Sequence, residues 1–152
     1  MRPRLLFSAL IAAVLACAAP VLAQSITVVP AERADGAVLE VHVGGRIARR
    51  DVDGVAEYET QWPGSYFETA FSGTEVFFRV VRGDVHLRVG VDGETAYVVR
   101  PQPGWYRVGP VAPGDHVLRL DVVNESQAGA MVLGGAVGAP ATTAHAPRER
   151  QI

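Results

Sequence analysis

The chain has 152 residues, 14 basic against 16 acidic side chains, a formal net charge of −2 and one cysteine. That length holds one ordinary domain with room for a hydrophobic core, and the slight acidity argues against nucleic acid or an anionic membrane surface as a partner. A single cysteine excludes a disulfide-stapled scaffold, so packing must hold the fold.

The first element is a leader. "MRPRLLFSALIAAVLACAAPVLAQ" joins Arg2 and Arg4 to an apolar run from Leu5 to Ala19 and ends with Val21 and Ala23 at the −3 and −1 positions, the pattern of a secretory signal over residues 1–23. The run is shorter than the roughly 20 residues of a bilayer span, and Pro20 interrupts its end. The expected location is secreted or periplasmic, with no membrane partner after cleavage. Cys17 in "VLAC" loosely resembles a bacterial lipoprotein acceptor, which makes a lipid anchor the lesser alternative. All basic residues are arginine, and the wealth of Ala, Gly, Val and Pro suggests a GC-rich bacterial genome.

Residues 24–136 read as one all-β domain. "SITVV" supplies a strand before a turn through "ERADG". From Val38 onward the apolar period is two, and Gly, Pro or Asp-Gly punctuates it at short, regular intervals, the rhythm of a β-sandwich. The alternation places Leu39, Val41 and Val43 on one face, then Phe67, Thr69 and Phe71, then Val76, Phe78 and Val80. Gly64 in "WPGS" suits a turn that starts a core strand, and "FSGT" reads as a hinge between two strands, with Gly73 letting both fold onto one core. Val85, Leu87, Val89 and Val91 alternate inward, Asp92-Gly93 supplies the turn, and Thr95 to Val99 returns. "GWYRVG", "DHVLRLDVV" and "AMVLGGAVG" complete about nine or ten short strands. Residues 137–152, rich in Ala, Pro and Thr with a charged end, read as a linker or disordered tail.

Little of this carries catalytic chemistry. None of Ser25, Ser65, Ser72 and Ser126 sits in a G-x-S-x-G elbow, Gly83-Asp84 and Gly114-Asp115 are followed by valine and histidine, and no Asp-x-x-His occurs. His42, His86, His116 and His145 show no local zinc spacing, and alternation puts His42 and His86 opposite their strands' apolar sets, as exposed strand histidines. Glu57, Glu59, Glu68 and Glu75 read as the solvated face of a sandwich. The expected set of catalytic residues, metal ligands and cofactors is therefore empty. Trp62, Tyr66, Trp105 and Tyr106 lie at or beside turns, where rings either stack on sugars or plug the ends of the core.

Several short motifs fall in a recognisable order: Gly45-Arg46, "WPGS" at Trp62 to Ser65, "FSGT" at Phe71 to Thr74, "VDG" at Val91 to Gly93, and "VNESQAGAMVLGG". Over roughly Val38 to Val137 the chain resembles the N-terminal jelly-roll domain of carbohydrate esterase family 2. The resemblance implies a jelly-roll-like antiparallel β-sandwich that precedes an SGNH/GDSL-type hydrolase domain removing acetyl groups from xylan and related plant polysaccharides. It implies a non-catalytic accessory role: docking on that hydrolase domain, in cis or in trans, and helping form the glycan cleft. Trp62, Arg46, Tyr66 and Trp105 are the candidate carbohydrate-binding residues. In such esterases the linker runs into a strand ending in Gly-Asp-Ser, and "PRERQI" resembles the residues just before it. The chain reads as a fragment of a longer esterase or as a jelly roll acting with a separate partner. An independent carbohydrate-binding module and an envelope-associated interaction domain are the alternatives.

Overall fold

The structure, a computed structural model, describes residues 25–32 and 34–146. The proposed leader, with Cys17, and residues 147–152 lie outside the described residues. Among the described residues none is helical. Eleven strands follow in order: β1 (Thr27–Ala31), β2 (Ala37–Val38), β3 (His42–Gly44), β4 (Ala48–Val52), β5 (Val55–Thr60), β6 (Tyr66–Arg82), β7 (His86–Val91), β8 (Glu94–Val99), β9 (Gly104–Gly109), β10 (Asp115–Val122) and β11 (Met131–Pro140).

Every pairing is antiparallel, and the strands form two leaves that share β6. The first half of β6 lies between β3 and β10, and β10 continues to β7 and β8. The second half lies between β11 and β9, with β5 and β4 beyond β11 and β1 beyond β9. β2 attaches to the far end of β11. One apolar cluster draws on both leaves, with Phe67, Leu87, Val89, Leu118 and Leu120 from the first and Val76, Phe78, Tyr106, Val108 and Leu133 from the second. Two sheets closed over one core make a β-sandwich.

The "FSGT" stretch is not the hinge between two strands that the sequence suggests. β6 is one strand of 17 residues, bent where Gly73 takes φ +104°. Before the bend the core-facing residues are odd-numbered (Phe67, Thr69, Phe71), and after it they are even-numbered (Val76, Phe78, Val80), while Glu68 and Phe77 are buried on the opposite face of the strand. A positive-φ residue has shifted the alternation by one position, so both halves present their apolar faces to the same core.

Elsewhere the alternation reads well. Val85, Leu87, Val89 and Val91 are all buried, and Asp92 and Gly93 hold φ +49° and +99° in the turn that joins β7 to β8. "WPGS" closes with the Ser65 N–H donating to the Trp62 carbonyl, with Pro63 and then Gly64 (φ +79°) between them, the residue order of a type II turn. Two stretches differ. Leu39 and Val41 lie between the short pieces β2 and β3 and belong to no strand; Leu39 is buried, its N–H donating to the Ala136 carbonyl, but Val43, expected on the same face, is 43% exposed. Residues 137–140, read from sequence as the start of a linker, continue β11: Val137 stands opposite both Val38 and Phe77, and Ala139 opposite Ser72. Val137 and Gly138 lie between β2 and β6, and Ala139 and Pro140, though exposed, still pair with β6.

Candidate functional site

Two of the four sequence-selected residues meet on one shelf. Thr60, the last residue of β5, is buried, and its hydroxyl donates to the Arg46 carbonyl (2.9 Å) while accepting from the Trp62 N–H (3.2 Å), with the Ser65 hydroxyl 3.0 Å away. One buried side chain thereby fixes the backbone of both residues. The Arg46 guanidinium lies 4.6 Å from the centre of the Trp62 ring, and Trp62 remains 47% exposed. Around them is a depression of about 400 Å³ bordered by Arg46, Ile47, Ala48, Glu59, Trp62 and Ala130. Glu59 anchors one wall, paired with Arg50 at 3.5 Å and Arg82 at 3.2 Å. The shelf combines an apolar ring, a cation over it and polar groups at the edge, a set that suits a sugar ring with one flat apolar side.

Tyr66 and Trp105 stand elsewhere. The Tyr66 ring lies so close over Gly44 that a Cβ there would overlap it, and the Arg119 guanidinium sits 3.9 Å from its centre. Trp105 is on β9, opposite Ala31 and Arg79, half-buried. Its neighbour Tyr106 is the core aromatic, stacked on Phe78 and donating its hydroxyl hydrogen to the Gln102 carbonyl at 2.9 Å.

The outward face of the β3–β6–β10–β7–β8 leaf carries a charge network that sequence reasoning left as a solvated surface. Register aligns His42, Glu68, Arg119, Gly90 and Thr95 across it, with Tyr66, Asp121 and Arg88 in the next row. Glu68 is only 4% exposed. Its Oε1 accepts from Arg119 at 2.6 Å, and Arg119 also reaches Asp121 Oδ1 at 2.8 Å, while Arg88 reaches Asp121 Oδ2 at 3.2 Å. Burial works against the Arg119 charge, but the Asp121 and Glu68 carboxylates outweigh it and raise its pKa above the ordinary arginine value. The other oxygen of Glu68, Oε2, has no hydrogen-bond partner among the described residues; His145 Nε2 approaches to 3.6 Å. His42, far from His145 in sequence, stands 6.0 Å from it ring to ring. His42 is thus half-buried beside Glu68 rather than an exposed strand histidine, and His86 is half-buried too, its N–H donating to Asn124 Oδ1. The period-two pattern marks these positions as outward but carries no sign that their charges interlock.

Among the described residues no group of three or more His, Cys, Asp or Glu is placed to hold a metal ion. Ser65 is almost wholly buried beside Thr60, a structural position and not that of an exposed nucleophile.

The model of the "Carbohydrate esterase 2 N-terminal" family matches residues 43–147. An acetylxylan esterase / glucomannan deacetylase from Cellvibrio japonicus (strain Ueda107) is 33% identical over 91 residues, which make up 59% of this chain and 25% of that enzyme. A solved carbohydrate esterase, described as having an active site with divergent catalytic and non-catalytic binding functions, superposes with a TM-score of 0.61 at 26% identity, over 75% of this chain and 34% of that one. A family two carbohydrate esterase from Cellvibrio japonicus superposes with a TM-score of 0.54 at 18% identity, over 78% and 36% of the two chains, a likeness of fold. The chain spans about a quarter to a third of the length of these relatives.

Proposed function

We propose, from the premise that the chain belongs to the carbohydrate esterase 2 N-terminal family, that it is the non-catalytic accessory domain of a secreted polysaccharide acetyl esterase. In this reading the sandwich is a jelly roll that docks on an SGNH-type hydrolase domain, in cis or in trans, and residues 1–23 direct its export. The Trp62–Arg46 shelf then forms part of the wall of an acetylated-glycan cleft. The family match over most of the folded chain carries the reading. The exposed ring and paired guanidinium at the shelf support its placement on the glycan side.

The test joins the domain to the hydrolase domain or removes it. With the domain present, the hydrolase should melt higher and deacetylate polymeric xylan faster, while turnover of a small acetyl ester changes less. Equal melting temperature and equal activity on polymer with and without the domain would sink the proposal.

The exposure of Trp62 favours one second reading, an independent carbohydrate-binding module, because a ring that merely plugged the core would be covered like Tyr106, at 7% exposure against 47%. That reading expects the isolated domain to be retarded on xylan, glucomannan or cellulose, and Trp62→Ala to remove the retardation without unfolding.

A further inference from the structure

The outward face of the β3–β6–β10–β7–β8 leaf contains a cleft that the proposed function leaves unused. It measures about 430 Å³ and is lined by Glu68, Arg88, Asp92, Thr95, Arg119 and Asp121, with Gly90 and Gly93 between them. That volume lies within the roughly 300–1,000 Å³ of ordinary ligand sites.

Gly90 is the informative residue. It stands in the middle of β7, between Arg119 on β10 and Thr95 on β8, where glycine weakens a strand. Its backbone does not require glycine, because it is not among the positive-φ positions. Neither does packing, because an added Cβ would meet the Glu94 carbonyl at 3.4 Å and Thr95 Cγ2 at 3.5 Å, both ordinary contacts. What the missing side chain does is leave the floor of the cleft open.

The walls are held in place before any ligand arrives. Arg119 is fixed by Glu68, by Asp121 and by the Tyr66 ring, and Asp121 is fixed by two guanidiniums. Both Asp121 oxygens are fully engaged, Oδ1 by two Arg119 nitrogens and Oδ2 by two Arg88 nitrogens. Asp92 takes only the Val117 N–H on Oδ1 and the His116 ring on Oδ2, which leaves it acceptor capacity, and Arg119 has N–H groups beyond those it uses. Three carboxylates face two guanidiniums, and Asp92 is further neutralised by its contact with His116. A nearly balanced cleft gives no strong hold on a highly charged ligand. It suits a neutral one with adjacent groups that both donate and accept.

We propose that this cleft is a second glycan site, binding a neutral pyranose segment, with one hydroxyl accepting from Arg119 and its neighbour donating to Asp92. The proposal rests on the reading of the chain as part of a polysaccharide esterase, but it concerns a different face from the Trp62 shelf.

The test is a titration of ¹⁵N-labelled domain with xylohexaose and, separately, mannohexaose, following the amides of Gly90, Gly93 and Thr95 and those of Thr60, Gln61 and Trp62. Saturable shifts in the first set with either oligosaccharide are expected. Gly90→Val should weaken that binding at least tenfold while leaving the second set unchanged. If Gly90→Val fails to fold, Arg88→Ala, a change at the exposed rim, serves in its place. Shifts confined to the second set would overturn the Gly90 site and leave the proposed function standing. Shifts in neither set would also overturn the site, and the hydrolase-docking experiment would judge the proposed function separately.

Discussion

Both ring nitrogens of His116 face oxygen acceptors, Asp92 Oδ2 at 2.5 Å and the Ala112 carbonyl at 2.6 Å. A neutral imidazole has one N–H, so only the cation can donate to both. Burial against Phe71 works against that charge, but the Asp92 carboxylate and the Ala112 carbonyl more than offset it, and the pKa rises above its ordinary 6.5. A raised folded-state pKa means that the contribution is complete below the unfolded value and fades as pH rises through the folded one. His116→Gln should therefore trail the wild type by about 2 kcal/mol in urea unfolding at about pH 5.5, with the gap shrinking at about pH 8.5. A gap independent of pH would contradict a charged His116. From the sequence His116 is only one of four histidines, and Asp92 only a turn residue. That Asp92 also accepts from the Val117 N–H and holds His116 depends on β10 lying beside β7, which no local pattern encodes.

At the level of the strand, β6 is where local reading and tertiary structure diverge most usefully. Alternation correctly assigns Phe67, Thr69 and Phe71 to one face and Val76, Phe78 and Val80 to another, because side-chain period is a local property of extended backbone. Whether those two faces belong to two strands or to one bent strand is not local. Serine, glycine and threonine suit either, and the flanking strands decide it: the Gly73 N–H donates to the Gly114 carbonyl and the Val111 N–H to the Thr74 carbonyl, so pairing continues through the corner. Nothing lies within 4 Å of a Cβ placed on Gly73, so Gly73→Ala isolates the backbone term. The substitution should lower unfolding stability by about 1–3 kcal/mol, the range for a non-glycine residue held in a sparsely populated conformation, with the denaturant slope unchanged. An unchanged midpoint would show that the corner relaxes without strain. The β4–β5 hairpin had its own local signal, Asp53-Gly54 at φ +52° and +79°, of the same kind as the Asp92-Gly93 turn.

Across the whole molecule, the candidate sites are assembled by contacts distant in sequence. The Trp62 shelf was legible because an aromatic turn residue stands out; its partnership with Arg46 depends on Thr60 holding both backbones. The Glu68 network was not legible, since Glu68, Arg119 and His145 meet only after β6 pairs with β10 and the segment beyond β11 turns back over the leaf. Asp115 clamps that segment: Thr142 Oγ1 donates to it at 2.5 Å, and the Thr142 and Thr143 N–H groups at 3.1 and 2.8 Å. These donors, the Thr142 hydroxyl first, hold the Asp115 carboxyl well below its ordinary 3.8. A depressed pKa gives a contribution that is present above the ordinary value and lost only as pH falls through the folded one, so the clamp should persist at about pH 3. Hydrogen exchange checks this directly. In the wild type the Thr142 and Thr143 amides should stay protected at that pH; in Asp115→Ala they should exchange at open-chain rates, with the His145 ring resonances shifting as it leaves Glu68. Protection that survives Asp115→Ala would mean that the segment is held by His145 and the apolar contacts of β11 alone. Loss of protection would make the clamp the point that fixes the segment after β11 against the sandwich.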